Sequence, residues 1–562
     1  PGGTWNLGAY LALPNRQAYN SRLLSLLRCS VEESVITLRI NPAKSYRIIS
    51  NCCSLSIRFQ RMAYSSPTSY KNARVPFATI EDAIVQESVV SEARIKWIPR
   101  IPPVLKGVFQ LEVGGPTSSY ADEETIQKLF PRTFGQRSVR FVPHRGEAIS
   151  VGHPLKIGIV LSGGPAPGGH NVVIGLVDFL WGRNEFSKIY GFLDGPSGIV
   201  DCKYKELTRD AIKPFRNTGG FHLIGSGRTK IETDKQFASV KATAEKLNLD
   251  GLIVVGGDDS NTNAAVLAEY FLQQGVKTRV IGVPKTIDGD LKNEYVETSF
   301  GFDTACKTYS ELIANLTADA KSARKSYHFV RLMGRAASSI TLECALQTHP
   351  NIVLIGEEVE KKGQTLVQLT NDISDVIVKR SEDGLNYGVV ILPEGLVDFM
   401  PDVGKLLKEL NDLVNVPHDQ IKTKLSPESA VVFGALPEFI AQQLLLDRDP
   451  HGNVQVSKIE SERLLIHSIS LELARRKKAG TYKGSFGYQS HFLGYEGRCG
   501  MPSNFDANYC YTLGHVAGAL IETGQTGEDL APSLGIFFAW LSRFPHPHAL
   551  SRIPSGLVCM GM

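Results

Sequence analysis

The sequence predicts an α/β fold built on doubly wound parallel sheets, and two observations carry that prediction. Three short apolar runs rich in β-branched residues, 156–161, 252–255 and 279–283, are each followed at once by a loop rich in glycine or proline. Runs of this length and composition read as buried strands of a parallel sheet. After the first two loops, apolar residues recur at helical spacing: Val172, Val173, Leu176, Phe179 and Leu180, then Ala264, Leu267, Ala268 and Phe271. Alternation of strand, loop and helix is the pattern of such sheets.

The remaining elements follow in chain order. Residues 1–61 hold seven Arg, one Lys and only two acidic residues, Glu32 and Glu33. That composition fits an organellar transit peptide or a translated upstream segment. Residues 62–150 are a mixed N-terminal extension, with helical spacing in 122–130 at Ile126, Leu129 and Phe130. Residues 151–300 form the first α/β domain. A strand at 328–332, with further strands at 352–355 and 388–392, places a second α/β domain in 301–400. Residues 401–480 read as helical: Leu406, Leu407, Leu410, Leu413 and Val414 share one apolar face, and 457–478 ends in a basic turn. A return segment covers 481–526, and an atypical end covers 527–562.

Composition narrows the function. Apolar content of 42% and charged content of 21% are ordinary for a globular enzyme. A formal charge of +4 over 562 residues gives no reason to expect a nucleic acid partner. The nine cysteines are scattered without a Cys-x-x-Cys pair, which reads as reduced thiols in a reducing compartment, the cytoplasm. No apolar run approaches the roughly 20 residues that span a bilayer.

The chemistry lies in the three loops: Ser162-Gly163-Gly164-Pro165-Ala166-Pro167-Gly168-Gly169, Gly256-Gly257-Asp258-Asp259-Ser260 and Pro284-Lys285-Thr286-Ile287-Asp288-Gly289-Asp290. Ligands of parallel sheets bind at the carboxyl ends of the strands, so the loops can converge on one site. Glycine lets backbone N–H groups approach phosphate. Carboxylates beside phosphate repel it unless a divalent cation lies between, and Mg²⁺ takes one or two carboxylates plus phosphate oxygens. The combination points to phosphoryl transfer. The first loop has Walker A spacing, but Gly169-His170 stands where Lys-Ser/Thr would be. Alone it would be only a tight strand-to-helix turn; its place at a helix start favours phosphate. Asp258 and Asp259 can equally cap the following helix, and Ile287-Asp288-Gly289-Asp290 alone is a plausible turn. Asp288 is the candidate base, since a sugar hydroxyl is a poor nucleophile until its proton leaves.

These loops resemble those of the phosphofructokinases, in the pyrophosphate-dependent long branch of that family. Met333-Gly334-Arg335, Pro393-Glu394-Gly395 and Tyr495-Glu496-Gly497-Arg498 occur in the family's order, and the resemblance spans about residues 125–525. It implies a phosphofructokinase-like fold, two doubly wound α/β domains with a helical insertion. It implies Mg²⁺-dependent transfer from pyrophosphate to the C1 hydroxyl of fructose 6-phosphate. It assigns Asp288, Asp290 and Arg335 to catalysis, Asp258 to the metal, and Gly163, Gly164, Asp259 and Lys285 to pyrophosphate. ATP-dependent relatives carry glycine at Asp259, and short ones also at Lys285. The sugar phosphate falls to Thr286, Ile287, Asp288, Lys325, Ser326, Met333, Gly334, Arg335, Glu394, Tyr495, Glu496, Gly497 and Arg498, with Lys325 reaching in from an adjacent subunit. The family usually has Gln at Pro165 and Tyr at Ser326, which alters local donor and sugar contacts here. A homologous alpha subunit and activation by fructose 2,6-bisphosphate are further implications. His491 is assigned nothing. Residues 527–562 do not resemble the family and are expected to leave the large domain incomplete.

Overall fold

All three apolar runs become buried parallel strands, and their order in the sheet decides where a ligand can lie. The computed structural model describes residues 28–32, 35–41, 44–49, 89–119, 122–144, 152–290, 298–414, 416–446, 454–524, 536–539 and 557–560. The chain divides into two compact units, Pro1–Val85 and Gln86–Met562. In the first, β1 (Arg28–Glu32), β2 (Val35–Asn41) and β3 (Lys44–Ile49) pair antiparallel in that order. Most of the expected leader lies outside the described residues.

The second unit carries two sheets. Its strands are β4 (Phe109–Pro116), β5 (Arg137–Pro143), β6 (Lys156–Leu161), β7 (Lys188–Phe192), β8 (Tyr204–Glu206), β9 (Gly251–Gly256) and β10 (Arg279–Pro284), then β11 (Tyr327–Leu332), β12 (Ile352–Val353), β13 (Gly388–Pro393), β14 (Tyr488–Leu493), β15 (Ile536–Ala539) and β16 (Leu557–Met560). The large sheet runs β4-β5-β16-β15-β10-β9-β6-β7-β8, and the small one β12-β13-β11-β14. From β6 the chain winds outward to β7; β9 and β10 then build on the other side of β6. The crevice between β6 and β9 is therefore a topological switch point, the place where open α/β sheets bind ligands. In the small sheet all neighbours are parallel, so the loops after β13, β11 and β14 also stand side by side.

Alternation along the strands explains the layering. Ile157, Ile159 and Leu161 pack on the helix Gly169–Arg183, while Val160 faces the opposite core with Leu267 and Phe271. On β11, Val330 and Leu332 join the first core, whereas Tyr327 and Phe329 face Leu406, Leu410, Ile469 and Leu473 of the helical stretch. Among the described residues that stretch holds five α-helices, Pro401–Asp412, His418–Lys424, Pro427–Ala435, Glu438–Leu446 and Ser461–Lys478. The segment expected to leave the large domain incomplete supplies β15 and β16, which fill the sheet between β10 and β5. Among the described residues no helix is long and apolar enough to cross a membrane.

One buried carboxylate ties the site's supports together. Asp506, fully buried in the first turn of the helix Asn504–Thr523, accepts hydrogen bonds from Gly301 N (2.8 Å), Thr304 N (2.9 Å) and Thr304 Oγ1 (2.5 Å). It thereby caps the helix Phe302–Ala323 from a second helix. Three residues on, Tyr509 OH donates to Thr298 O at 3.1 Å. Asp506→Ala would strand three buried donors and is expected to destabilise the protein by about 3 kcal/mol or more. Asp506→Asn keeps one acceptor oxygen and should lose less. The midpoints of chemical denaturation of the two variants check this.

Candidate active site

The two rows of loops face each other across a cavity of about 950 Å³. Ser162, Gly163, Gly164, Asp258, Asp259, Lys285, Thr286, Ile287, Asp288 and Asp290 line it from the large sheet; Met333, Arg335, Glu394, Tyr495 and Arg498 line it from the small one. Residues that are more than three hundred positions apart in sequence are thus brought together.

Lys285 stands at the centre. Its ammonium donates to Gly164 O at 2.6 Å, and its own N–H bonds Gly256 O at 2.8 Å, so one residue joins all three loops. Burial, then the nearby Arg498 and Arg228, lower its pKa to about 8, against the pull of Asp288 and Asp258. Ser260 Oγ donates to Ser162 Oγ at 2.8 Å, a second tie between the first two loops. Gly163, at φ +80°, donates its N–H to Gly227 O at 2.9 Å. That N–H is already engaged, so Gly163 shapes the loop and brings the Gly225–Arg228 turn beside it. At Gly164 a side chain would come within 3.2 Å of the Arg498 guanidinium, so glycine there leaves room for that arginine.

The carboxylates crowd one another. Burial raises the Asp258 pKa, and Asp290 and Asp259 raise it further, with Lys285 and Arg335 opposing. Burial also raises that of Asp288, again reinforced by Asp290 and opposed by Arg335, Lys285 and Arg498. The Asp288 loop is held by Thr286: its hydroxyl accepts from Asp288 N at 3.0 Å and donates to Asp290 Oδ1 at 3.1 Å. Asp259 points away from this cluster; its side chain is 80% exposed and lies 3.7 Å from Lys230 Nζ at the rim. Glu394 is buried at the acceptor end, with its pKa raised to about 7 by burial and by Asp288.

Several expected contacts fall elsewhere. Glu496 accepts from Gly494 N at 2.8 Å within its own turn, and Gly497 packs on the Tyr309 ring; neither lines the cavity. Gly334 is buried behind Met333 and Arg335, its carbonyl accepting from Gly395 N at 3.3 Å. Lys325 and Ser326 precede β11, at the opposite end of the strand from Arg335, outside this chain's cavity. Arg498 lies against the Gly-rich loop, with its guanidinium 5.0 Å from the Tyr495 ring centre.

Other lining residues had no motif to announce them. Arg228 and Lys230 follow Gly225-Ser226-Gly227, a glycine turn that was visible but preceded by no apolar strand. Asp398, with its pKa raised by burial to about 6 and opposed by Arg335, sits one turn beyond Glu394. Gln455 comes from the helical stretch and Phe492 from β14.

The donor set fits Mg²⁺. Asp258 and Asp290 repel each other beside the Gly-rich loop, and two carboxylates completed by phosphate oxygens are the ligands this ion accepts. Among the described residues no group of three or more His, Cys, Asp or Glu side chains could hold a metal alone, so the rest of the shell would come from water or phosphate oxygens.

Comparison with known proteins identifies what the chain resembles. The family described as Phosphofructokinase matches residues 156–521. The pyrophosphate–fructose 6-phosphate 1-phosphotransferase subunit beta 1 of Arabidopsis thaliana is 58% identical over 444 residues, 78% of each chain. The enzyme of that name from Porphyromonas gingivalis is 49% identical over 453 residues, 78% of this chain and 82% of that one. The Solanum tuberosum alpha subunit is 41% identical over 451 residues, 78% of this chain and 73% of that one.

The Lys285 environment predicts a pH dependence. A lysine is charged only below its pKa, so pyrophosphate, used as a probe without sugar, should bind more weakly as pH rises through about 8. Isothermal titration at several pH values checks this, and Lys285→Gln should lack the break.

Proposed function

The chain belongs to the phosphofructokinase family, and we infer from its site that it works as the pyrophosphate-dependent enzyme: it transfers a phosphoryl group from pyrophosphate to the C1 hydroxyl of fructose 6-phosphate. The products are fructose 1,6-bisphosphate and phosphate, and the reaction runs in both directions. The observation that carries this reading is Lys285, buried between the Gly-rich loop and two aspartates. A cation fixed there balances a small polyanion that brings no nucleotide with it.

The proposed roles draw on the arrangement of the cavity. Gly164 and the loop around it shape the donor end, and Lys285 and Arg228 carry charge to the donor phosphates. Asp288 takes the proton from the C1 hydroxyl; Thr286 and Asp290 fix its loop. Arg335 lies within reach of both ends and offsets charge on the moving phosphoryl group. Met333 and Ile287 wall the sugar, and Glu394 accepts from its hydroxyls. Tyr495 and Arg498 are assigned to the 6-phosphate, for which the guanidinium fork is suited, although Arg498 here lies against the Gly-rich loop at the donor end. Asp258 with Asp290 would hold Mg²⁺, which supplies charge neutralisation on the donor phosphates. Lys325, outside its own cavity, serves a neighbouring subunit. Similarity to both beta and alpha subunits supports assembly with a homologous alpha subunit. Fructose 2,6-bisphosphate is the proposed activator. Five free described cysteines support a reducing, cytoplasmic setting.

The direct test is a donor assay with pyrophosphate and ATP side by side; equal use of ATP would overturn the reading. Asp288→Asn keeps the shape of the loop but removes the base, and should lower kcat about 10²–10⁴-fold with substrate binding nearly unchanged. Asp259→Gly should admit ATP weakly, and adding Lys285→Gly should depress pyrophosphate use further. Donor preference equal to the parent's in the double variant would refute this account of donor choice.

A further inference from the structure

Beneath the acceptor end lies a buried ion pair that the reaction as described does not use. Arg331 is on β11, two residues before Met333, and its Nε is 2.7 Å from Glu462 Oε2, with the two side chains 6% and 4% exposed. Glu462 belongs to the first turn of the helix Ser461–Lys478, in the helical stretch outside both sheets. The guanidinium carbon lies 4.0 Å from the centre of the Phe492 ring, and Phe492 lines the cavity together with Glu394. An ion pair removed from water gains little stability over a well-packed apolar pair. Stability alone does not account for placing this one under the site.

What the charge does reach is Glu394. Its carboxylate is 3% exposed, and Oε2 has no hydrogen-bond partner. The charged groups facing it are Asp288, Arg331 and Arg335, together with the Gly334 N–H, and the Tyr309 hydroxyl lies within its field. Burial and Asp288 favour the neutral acid; the two arginines and the N–H favour the carboxylate. Arg335 is exposed and shared with the donor end, whereas Arg331 is fixed.

We propose that Arg331 and Glu462 are positioning residues: Glu462 holds the Arg331 guanidinium against Phe492, and that fixed charge keeps Glu394 an ionised hydrogen-bond acceptor for a hydroxyl of the sugar phosphate. The helical stretch thereby acts on acceptor binding without touching the sugar. This rests on the reading of Glu394 as a sugar contact.

The test is the pH dependence of the KM for fructose 6-phosphate, at saturating pyrophosphate, between about pH 6 and 9. Arg331→Met with Glu462→Leu removes both charges and strands neither. At pH 7, where Glu394 is about half ionised, a rise of one pKa unit in this double variant should raise KM about fivefold, and the excess should vanish towards pH 9. Arg331→Gln with Glu462→Gln, which keeps a polar pair, should shift the profile in the same direction and serves if the apolar pair does not fold. Arg331→Lys, which keeps the charge, should follow the parent. Titration of the sugar phosphate and of Asp288 is common to all these enzymes and cancels in the comparison. A KM that tracks the parent's at every pH, or is raised by one constant factor throughout, overturns the proposal. Glu394→Gln separates the two readings. If it leaves KM unchanged, the sugar contact itself is wrong and the proposal falls with it. If it raises KM while the double variants show no pH-dependent shift, only the proposal fails.

Discussion

The structure depends on balancing charge in a space where carboxylates and phosphates must meet. Asp258, Asp288, Asp290 and Glu394 all line one cavity, and each would oppose an anionic substrate. Lys285 is the counterweight, held by Gly164 O on one loop while its backbone bonds Gly256 on another. Burial removes part of its own charge preference, so the ammonium is retained by Asp288 and Asp258. The lysine and the aspartates therefore need each other before any ligand arrives. An incoming polyanion, together with a divalent cation, replaces one balanced arrangement by another.

That balance needs the three loops in register, which is a property of strand order. The pairing of β9 with both β6 and β10 sets Val255 beside Leu161 and Val283, so all three loops leave the sheet at one level. The second sheet does the same for Arg335, Glu394 and Tyr495. Asp506 then fixes the helix that links them: its carboxylate caps the helix Phe302–Ala323, which starts just after the Asp288 loop and leads into β11. Ser299 Oγ, donating to Thr286 O at 2.9 Å, carries that constraint back to the Asp288 loop.

Residues were legible in the sequence where local pattern and chemistry coincide. Asp258, Lys285 and Asp288 lie in loops that follow short β-branched runs, so strand composition together with the binding of ligands at the carboxyl ends of parallel strands predicted their convergence. Glu496 and Gly497 illustrate the opposite. They share a tetrapeptide with Tyr495 and Arg498, but a helical turn points successive residues in different directions, and only two of the four reach the cavity. Arg228, Asp398, Gln455 and Phe492 were not legible because each arrives by tertiary convergence from a segment with no phosphate-like signature. The strands β15 and β16 were missed for a related reason: a short apolar run at the end of a chain says nothing about which strand it will pair with.

Glu394 and Asp288 show why an inserted helix would matter to such a site. In the roles proposed above, both carboxylates have to be ionised for the forward reaction, one as acceptor for a sugar hydroxyl and one as base. Yet each sits in a buried position, and the charge on Asp288 raises the pKa of Glu394. Lysine and arginine at the donor end cannot settle this, since substrate phosphates draw on the same charges. A cation behind the acceptor wall can, because no substrate reaches it. Arg331 occupies that place with both flanks filled, by Glu462 on one side and the Phe492 ring on another. The cost of burying it is met by a partner from outside the two-sheet core, so the helical stretch becomes part of the electrostatics of the site rather than an appendage to it.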